Sequence, residues 1–293
     1  MTNSTISSQS VCAVVVTYNP GPSFVGNVEA LAAQGAEIVL VDNGSGSETE
    51  EHLHELETNL GYKVIRNRQN LGIAAALNMG VNYAMESGFD WISTFDQDSC
   101  VCEEFFWKML ETYRQAPHSE KIALITPRYV DRETGIDLRL RRAGGEILTT
   151  LTSGSMMPAS AIRKLGLFEE SLYIDAVDTE FCLRARRNGM LILQSPAVLL
   201  HSLGHTTYHH FLGLHFGTTN HSPGRHYYIT RNRLRLLSRY ATDWPWFWRE
   251  IRGMIFDDAK IMLVEPNKWG KFRAMAAGAG DALSGRFGKQ IEL

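Results

Sequence analysis

The tripeptide Asp96-Gln97-Asp98 directly follows the β-branched and aromatic run Trp91-Ile92-Ser93-Thr94-Phe95, so two carboxylates separated by one residue leave the end of a buried strand together. Paired hard oxygen donors suit Mg²⁺ or Mn²⁺ bridging a diphosphate, because such ions take one or two protein carboxylates and complete their shell with phosphate and water. The same residue types favour a turn that caps the following helix, and the tripeptide alone leaves both readings open. A second cluster, Asp175-Ala176-Val177-Asp178-Thr179-Glu180, opens a helical stretch. Acids in a first helical turn are favoured by the helix dipole whatever else they do. Asp178 could also take a proton from a hydroxyl, work that needs a carboxylate within hydrogen-bond reach of the nucleophile. Arg184, Arg186 and Arg187 follow at helical spacing, where a solvated face is the plain reading.

The elements that must position these groups can be read from hydrophobic patterning. Residues 11–17 form a continuous apolar run ending in Tyr18-Asn19-Pro20-Gly21-Pro22, the pattern of a fully buried parallel strand followed by a turn. A helix over 23–33 leads to a second buried strand, 37–41, that stops at Asp42-Asn43-Gly44-Ser45-Gly46. The alternation continues with a helix from Glu48, a strand at 63–65, a helix over 72–85, a strand at 91–95, a helix over 103–113 and a strand at 122–126. Strands alternating with helices predict an α/β fold, a mostly parallel central sheet flanked by helices. Ligands of such sheets bind beyond the carboxyl ends of the strands, where all three polar clusters fall, so these clusters are expected to meet.

After Pro127 the rhythm breaks into short β-like pieces at 136–140, 146–150 and 154–157, then a helix near Asp178 and a last buried run at 191–200, an acceptor-side subdomain. From Gly204 onward His, aromatic and Arg residues precede amphipathic helical stretches. The expected organisation is a disordered start over 1–10, a catalytic domain over 11–205, and a C-terminal loop and helical region over 206–293.

The chain has 293 residues, 44% of them hydrophobic, with a net charge of -3, so no global basic field draws in nucleic acid or a membrane surface. Four cysteines without framework spacing fit a reducing cytosol. Residues 1–10 lack the basic and apolar regions of a signal peptide, and no apolar run approaches the roughly 20 residues needed to span a bilayer. A cytoplasmic protein, soluble or peripheral, is expected.

In their order, Val14-Val15-Val16-Thr17-Tyr18-Asn19, Val41-Asp42-Asn43-Gly44-Ser45, Asn70-Leu71-Gly72 through Asn78, Asp96-Gln97-Asp98-Ser99, Asp178-Thr179-Glu180 and His201 resemble the inverting family 2 glycosyltransferases, which have the Rossmann-like GT-A fold. The resemblance covers about the first 205 residues, and the ordered set is far more specific than any one piece. It implies that Thr17 and Asp42 hold the nucleoside, and that Asn70 and Asn78 lie close to nucleotide or sugar. It also implies that Asp98 binds the metal, that Asp96 contacts ribose or metal, and that Asp178 is the catalytic base. His201 looks like the extra metal ligand some members carry. The chain departs from the family pattern at Val177, where an acid often precedes the base; Asp175 stands nearby.

Three longer strings, Phe95 to Ser99, Tyr173 to Cys182 and Arg225 to Asn232, look like the rhamnosyltransferase branch, bacterial enzymes that use dTDP-L-rhamnose to build cell-surface polysaccharide of O-antigen or capsule type. The implied reaction is a single in-line displacement at the anomeric carbon, through a transition state of oxocarbenium character. The implied partners are a nucleotide diphosphate sugar and a glycan or lipid-linked glycan acceptor.

Arg231, in a basic run with Arg233 and Arg235, could clamp phosphate or lie on an exposed helix face. The histidines between His201 and His226 have mixed spacings and no joining cysteine, which suits a loop over bound donor better than a zinc site. Trp244, Trp246, Phe247 and Trp248 beside Arg249 and Arg252 could seat a helix at a bilayer interface or pack on the catalytic domain.

Three alternatives stand against this reading. One is a UDP-hexose donor. A sugar nucleotidyltransferase would need a basic Gly-rich loop after the first strand, and residues 18–24 hold no Lys or Arg. A noncatalytic binding module would not need Asp178.

Overall fold

The computed structural model describes residues 11–138, 140–143, 146–201, 207–211 and 214–292. The disordered start expected over 1–10 lies outside the described residues, as does His205 of the His-rich stretch. The described residues fall into two compact units: 11–169 with 177–201, and 170–176 with the residues from 207 onward. The sequence boundary near 205 therefore misses a short segment, Glu170–Ala176, that groups with the C-terminal part of the chain.

The first unit begins with the expected alternation: β1 Val11–Thr17, α1 Phe24–Ala32, β2 Glu37–Asp42, α2 Ser47–Leu60, β3 Lys63–Arg66, α3 Ile73–Glu86 and β4 Trp91–Asp96. All seven residues of β1 are buried, because both faces of the sheet are covered and no position needs a polar side chain. The helix α3 approaches β1 closely through small residues: a side chain at Gly80 would run into Val14. The chain continues with β5 Cys100–Val101, α4 Phe105–Gln115, β6 Ile122–Asp131, β7 Asp137–Leu138, β8 Arg141–Ala143, β9 Glu146–Thr149, β10 Ser155–Pro158, α5 Ala159–Leu165, α6 Val177–Arg187 and β11 Leu191–His201. The main sheet runs β3-β2-β1-β4-β10-β6-β11-β5, with β7 on β6.

The α/β fold, a mostly parallel central sheet flanked by helices, is as expected; a few antiparallel strands make the sheet mixed. The four strands β3, β2, β1 and β4 are parallel, as are β6 and β11, whereas β10 runs antiparallel to both β4 and β6. Parallel neighbours need a long crossover. The chain between β6 and β10 makes none, and β10 enters the sheet from the opposite end. Sequence patterning missed β5 and α5, whose residues are too few for a clear period.

The second unit holds the hairpin β12 Thr207–Phe211 and β13 Leu214–Thr218, then α7 Pro223–Arg239, α8 Trp244–Val264 and α9 Lys268–Leu283. Ser222 caps α7, accepting from Arg225 N–H at 3.2 Å, with proline at the first helical position, where a missing N–H costs nothing. Its residues grip the segment 170–176. The Asn232 carboxamide donates to the carbonyls of Leu172, Ile174 and Asp175 at 2.9, 2.7 and 3.1 Å. Arg225 meets the Asp175 carboxylate at 3.2 Å. These bonds hold a turn in which Tyr173, Asp175 and Ala176 all have positive φ, between 60° and 66°. Such backbone persists only where its surroundings over-determine it.

Candidate active site

Strand register brings the sequence-predicted carboxylates together. Thr17 and Asp42 are register partners at the ends of β1 and β2, and Val16 pairs with Asp96 at the end of β4. Asp42 is buried, and its Oδ2 accepts from the N–H groups of Gly44 and Ser45 at 3.2 and 3.1 Å. Its Oδ1 is also buried yet has no hydrogen-bond partner among the described residues. A buried, unanswered carboxylate oxygen is costly, so this atom is the clearest mark of a ligand that donates a hydrogen bond. Gly44, at φ +87°, lets the turn pass under the 69–70 backbone; a Cβ there would lie 2.5 Å from the Gln69 carbonyl carbon.

Asp96, Asp98 and His201 place one ligand atom each within 4.8 Å of one another, all three half-buried. Two carboxylate oxygens and an imidazole nitrogen are a donor set that fits a divalent ion of the Mg²⁺ or Mn²⁺ kind. The cluster is braced from behind. Ser153 Oγ accepts from the Asp96 N–H at 3.0 Å and shares a 2.7 Å hydrogen bond with Ser99 Oγ, which lies 3.1 Å from His201 Nδ1. A ligating histidine usually has its other nitrogen held in this way. Ser153 is in turn held by Tyr129, whose buried hydroxyl donates to the Ser153 carbonyl at 2.9 Å and also meets Thr126 and Thr150. Burial pushes the Tyr129 phenol up to about 12, so it stays a neutral donor.

Gln97, between the two aspartates, ties their loop to β1. Its Oε1 accepts from the Thr17 hydroxyl at 3.0 Å and the Tyr18 N–H at 2.7 Å, and its carbonyl accepts from the Asn27 side chain at 3.0 Å. Asn43 is a second hub: its Oδ1 accepts from the Asn67 side chain and the Leu71 N–H, and its Nδ2 donates to Asn70 Oδ1 at 3.1 Å. Asn70 also accepts from the Gly72 N–H at 2.9 Å, which places it in the loop that opens α3. Gln97, Ser99 and Asn43 stood inside the sequence motifs without a role of their own, and Ser153 and Tyr129 were not singled out from sequence. The available signals were the hydroxyl-rich run from Thr149 to Ser155 and the amide between two acids.

Asp178 lies in the first turn of α6, half-buried, and its Oδ1 accepts from the Thr179 N–H at 2.6 Å. It borders a small pocket shared with Thr94, Thr150, Thr152 and Phe168. The helix is anchored by Arg184, which forks onto the buried Glu180 at 2.8 Å and donates to the carbonyls of Leu165 and Leu167 at 2.6 and 2.8 Å. The solvated-face reading of Arg184 is thereby corrected: burial of Glu180 demands a partner.

Two predicted ligand contacts are also corrected. Asn78 is buried, and both ends of its carboxamide are taken by Phe168, whose N–H and carbonyl lie 2.9 Å away, so it braces a loop instead of facing a ligand. Arg231 is fully buried in the second unit, and its guanidinium donates to the carbonyls of Gly288, Ser171 and Leu172 at 2.6, 3.4 and 3.0 Å. It also stands over the rings of Tyr227, Tyr228 and Phe287, which leaves it no face for phosphate.

A curled mixed sheet with flanking helices and an acidic, metal-competent cluster at its strand ends is the architecture of GT-A glycosyltransferases. Residues 12–165 match the glycosyl transferase family 2, and the chain belongs to that family. It is 29% identical to the dTDP-rhamnosyl transferase RfbF of Shigella flexneri over 279 residues, 89% of this chain and 91% of the relative. It is 25% identical to the galactofuranosyltransferase GlfT1 of Mycobacterium tuberculosis, over 82% of this chain and 89% of that protein. Among solved structures, GalNAc-T7 with UDP, GalNAc and Mn²⁺ superposes with a TM-score of 0.60 at 16% identity, covering 94% of this chain and 57% of that one, a likeness of fold. Among the described residues no helix is long and apolar enough to cross a membrane.

Proposed function

We propose that the protein transfers L-rhamnose from dTDP-L-rhamnose, with inversion, onto a glycan hydroxyl in the assembly of bacterial cell-surface polysaccharide. For the donor the supporting observation is the likeness to a dTDP-rhamnosyl transferase along nearly the whole chain. For the nucleotide site it is the orphaned Asp42 Oδ1 beside Thr17, an acceptor suited to a base N–H or ribose hydroxyl. Asn70 lines the neighbouring loop. A divalent ion held by Asp98, Asp96 and His201, Mg²⁺ or Mn²⁺, would offset the charge that collects on the departing diphosphate. Asp178 takes the proton of the acceptor hydroxyl as its oxygen bonds to the anomeric carbon. The bond from that carbon to the diphosphate oxygen breaks, and dTDP leaves.

A UDP-hexose donor is the second reading, favoured by the likeness to a galactofuranosyltransferase. The two are separated by incubating purified protein with dTDP-L-rhamnose or UDP-galactofuranose and measuring nucleotide release with a rhamnose-accepting glycan present. Release of dTDP alone supports the proposal; release of UDP alone overturns the donor and keeps the enzyme class.

A further inference from the structure

Helix α8 turns Trp246, Glu250 and Ile261 inward. Two of its three acids are paired on that side: Glu250 meets Arg233 of α7 at 3.0 Å, and Asp257 meets Arg233 at 3.2 Å and Lys260 at 2.8 Å. The other side reverses the usual pattern of a surface helix. Trp244, Trp248, Ile255, Phe256 and Leu263 are all exposed, Phe256 by 63%. The helix α9 does the same, with Lys271, Met275 and Gly278 inward and Trp269, 73% exposed, and Phe272 outward, their rings edge to face at 6.1 Å. Scattered exposed leucines need no explanation, but aromatic faces on two successive helices do.

Three cations point outward with the aromatics. Arg252 stands on α8 among the exposed apolar positions, and Lys268 and Arg273 adjoin Trp269 and Phe272 on α9, all three exposed. Among the described residues no acid pairs with Arg252 or Arg273. Tryptophan mixed with unpaired basic side chains is the composition of a helix that lies in a bilayer interface, with rings at headgroup depth and cations on lipid phosphate. A second copy of the chain fits worse, since a two-fold contact would set these cations against one another. We propose that the outward faces of α8 and α9 seat the protein on an anionic bilayer surface, without spanning it. This inference is independent of which sugar is transferred.

The test is co-sedimentation of the full chain with phosphatidylcholine vesicles, with and without phosphatidylglycerol, at low and high salt. The expected result is binding to the phosphatidylglycerol vesicles that weakens with salt. Trp248→Ser combined with Trp269→Ser, and separately Arg252→Glu combined with Arg273→Glu, should each weaken it by about tenfold or more. These side chains are exposed, so the variants should melt like the parent protein. Failure of the parent to bind phosphatidylglycerol vesicles, or equal binding by parent and variants, overturns the proposal. So does a dimer in size-exclusion chromatography that the tryptophan variant dissociates while vesicle binding persists.

Discussion

Asp42, at the end of β2, and Arg231, in α7, are both buried charged residues that sequence motifs single out, yet they differ in what is left over. Asp42 Oδ1 has no partner among the described residues, whereas the Arg231 guanidinium has three carbonyls and three aromatic rings. A polar group whose bonding capacity is full holds the fold together, and one with capacity to spare awaits something else. Asn78, closed on the backbone of Phe168 at both ends of its carboxamide, stands with Arg231 on the side that holds the fold together. The rule is not absolute: His226 Nε2 and Trp246 Nε1 are also buried without a hydrogen bond, although His226 lies 3.6 Å from Glu265.

The comparison is sharpened most by Asp178→Asn, which should lower kcat by about 10²–10⁴-fold while leaving dTDP affinity unchanged in calorimetry. Wild-type turnover in this variant would remove the base from the account. Asp42→Ala comes next: loss of a charged acceptor should weaken nucleotide binding by roughly 10–100-fold. Arg231→Ala should do the reverse, costing about 3–5 kcal/mol in urea unfolding through unpaired carbonyls and an emptied site. If instead it weakened dTDP binding at unchanged stability, the full-versus-spare distinction would fail. Smaller still, Tyr129→Phe should cost about 1–3 kcal/mol, since the carbonyl of Ser153 loses its donor.

The smallest effect concerns pH. Burial holds His226 and His221 below the ordinary histidine value of 6.5, against the pull of Glu265 on His226. Between the unfolded and folded values the unfolded chain binds more protons, so stability should fall as pH drops below about 6.5. His226→Gln should flatten that slope in thermal melts taken across the window.

Much of this was legible in the sequence. The runs at 11–17, 37–41 and 91–95 read as buried parallel strands, and their polar ends locate Thr17, Asp42 and Asp96. The antiparallel entry of β10 was not legible, because Ser155 to Pro158 is too short to carry a period and its direction depends on the connection before it. Neither was the choice between ligand and brace at Asn78 and Arg231. Residue type gives donors and acceptors, but only packing decides whether a carbonyl already waits for them. Ser153 escaped for the same reason: a serine among threonines becomes part of the site only when the fold sets it between Asp96 and Ser99.

The most direct measurement is calorimetric titration of dTDP in Mn²⁺, and again in EDTA, into the parent protein and Asp98→Ala. The account predicts binding that falls by about tenfold or more on chelation and equally in the variant, with no further loss when the two are combined. Equal affinity in all four titrations would contradict a metal-bridged diphosphate at the Asp96, Asp98 and His201 cluster.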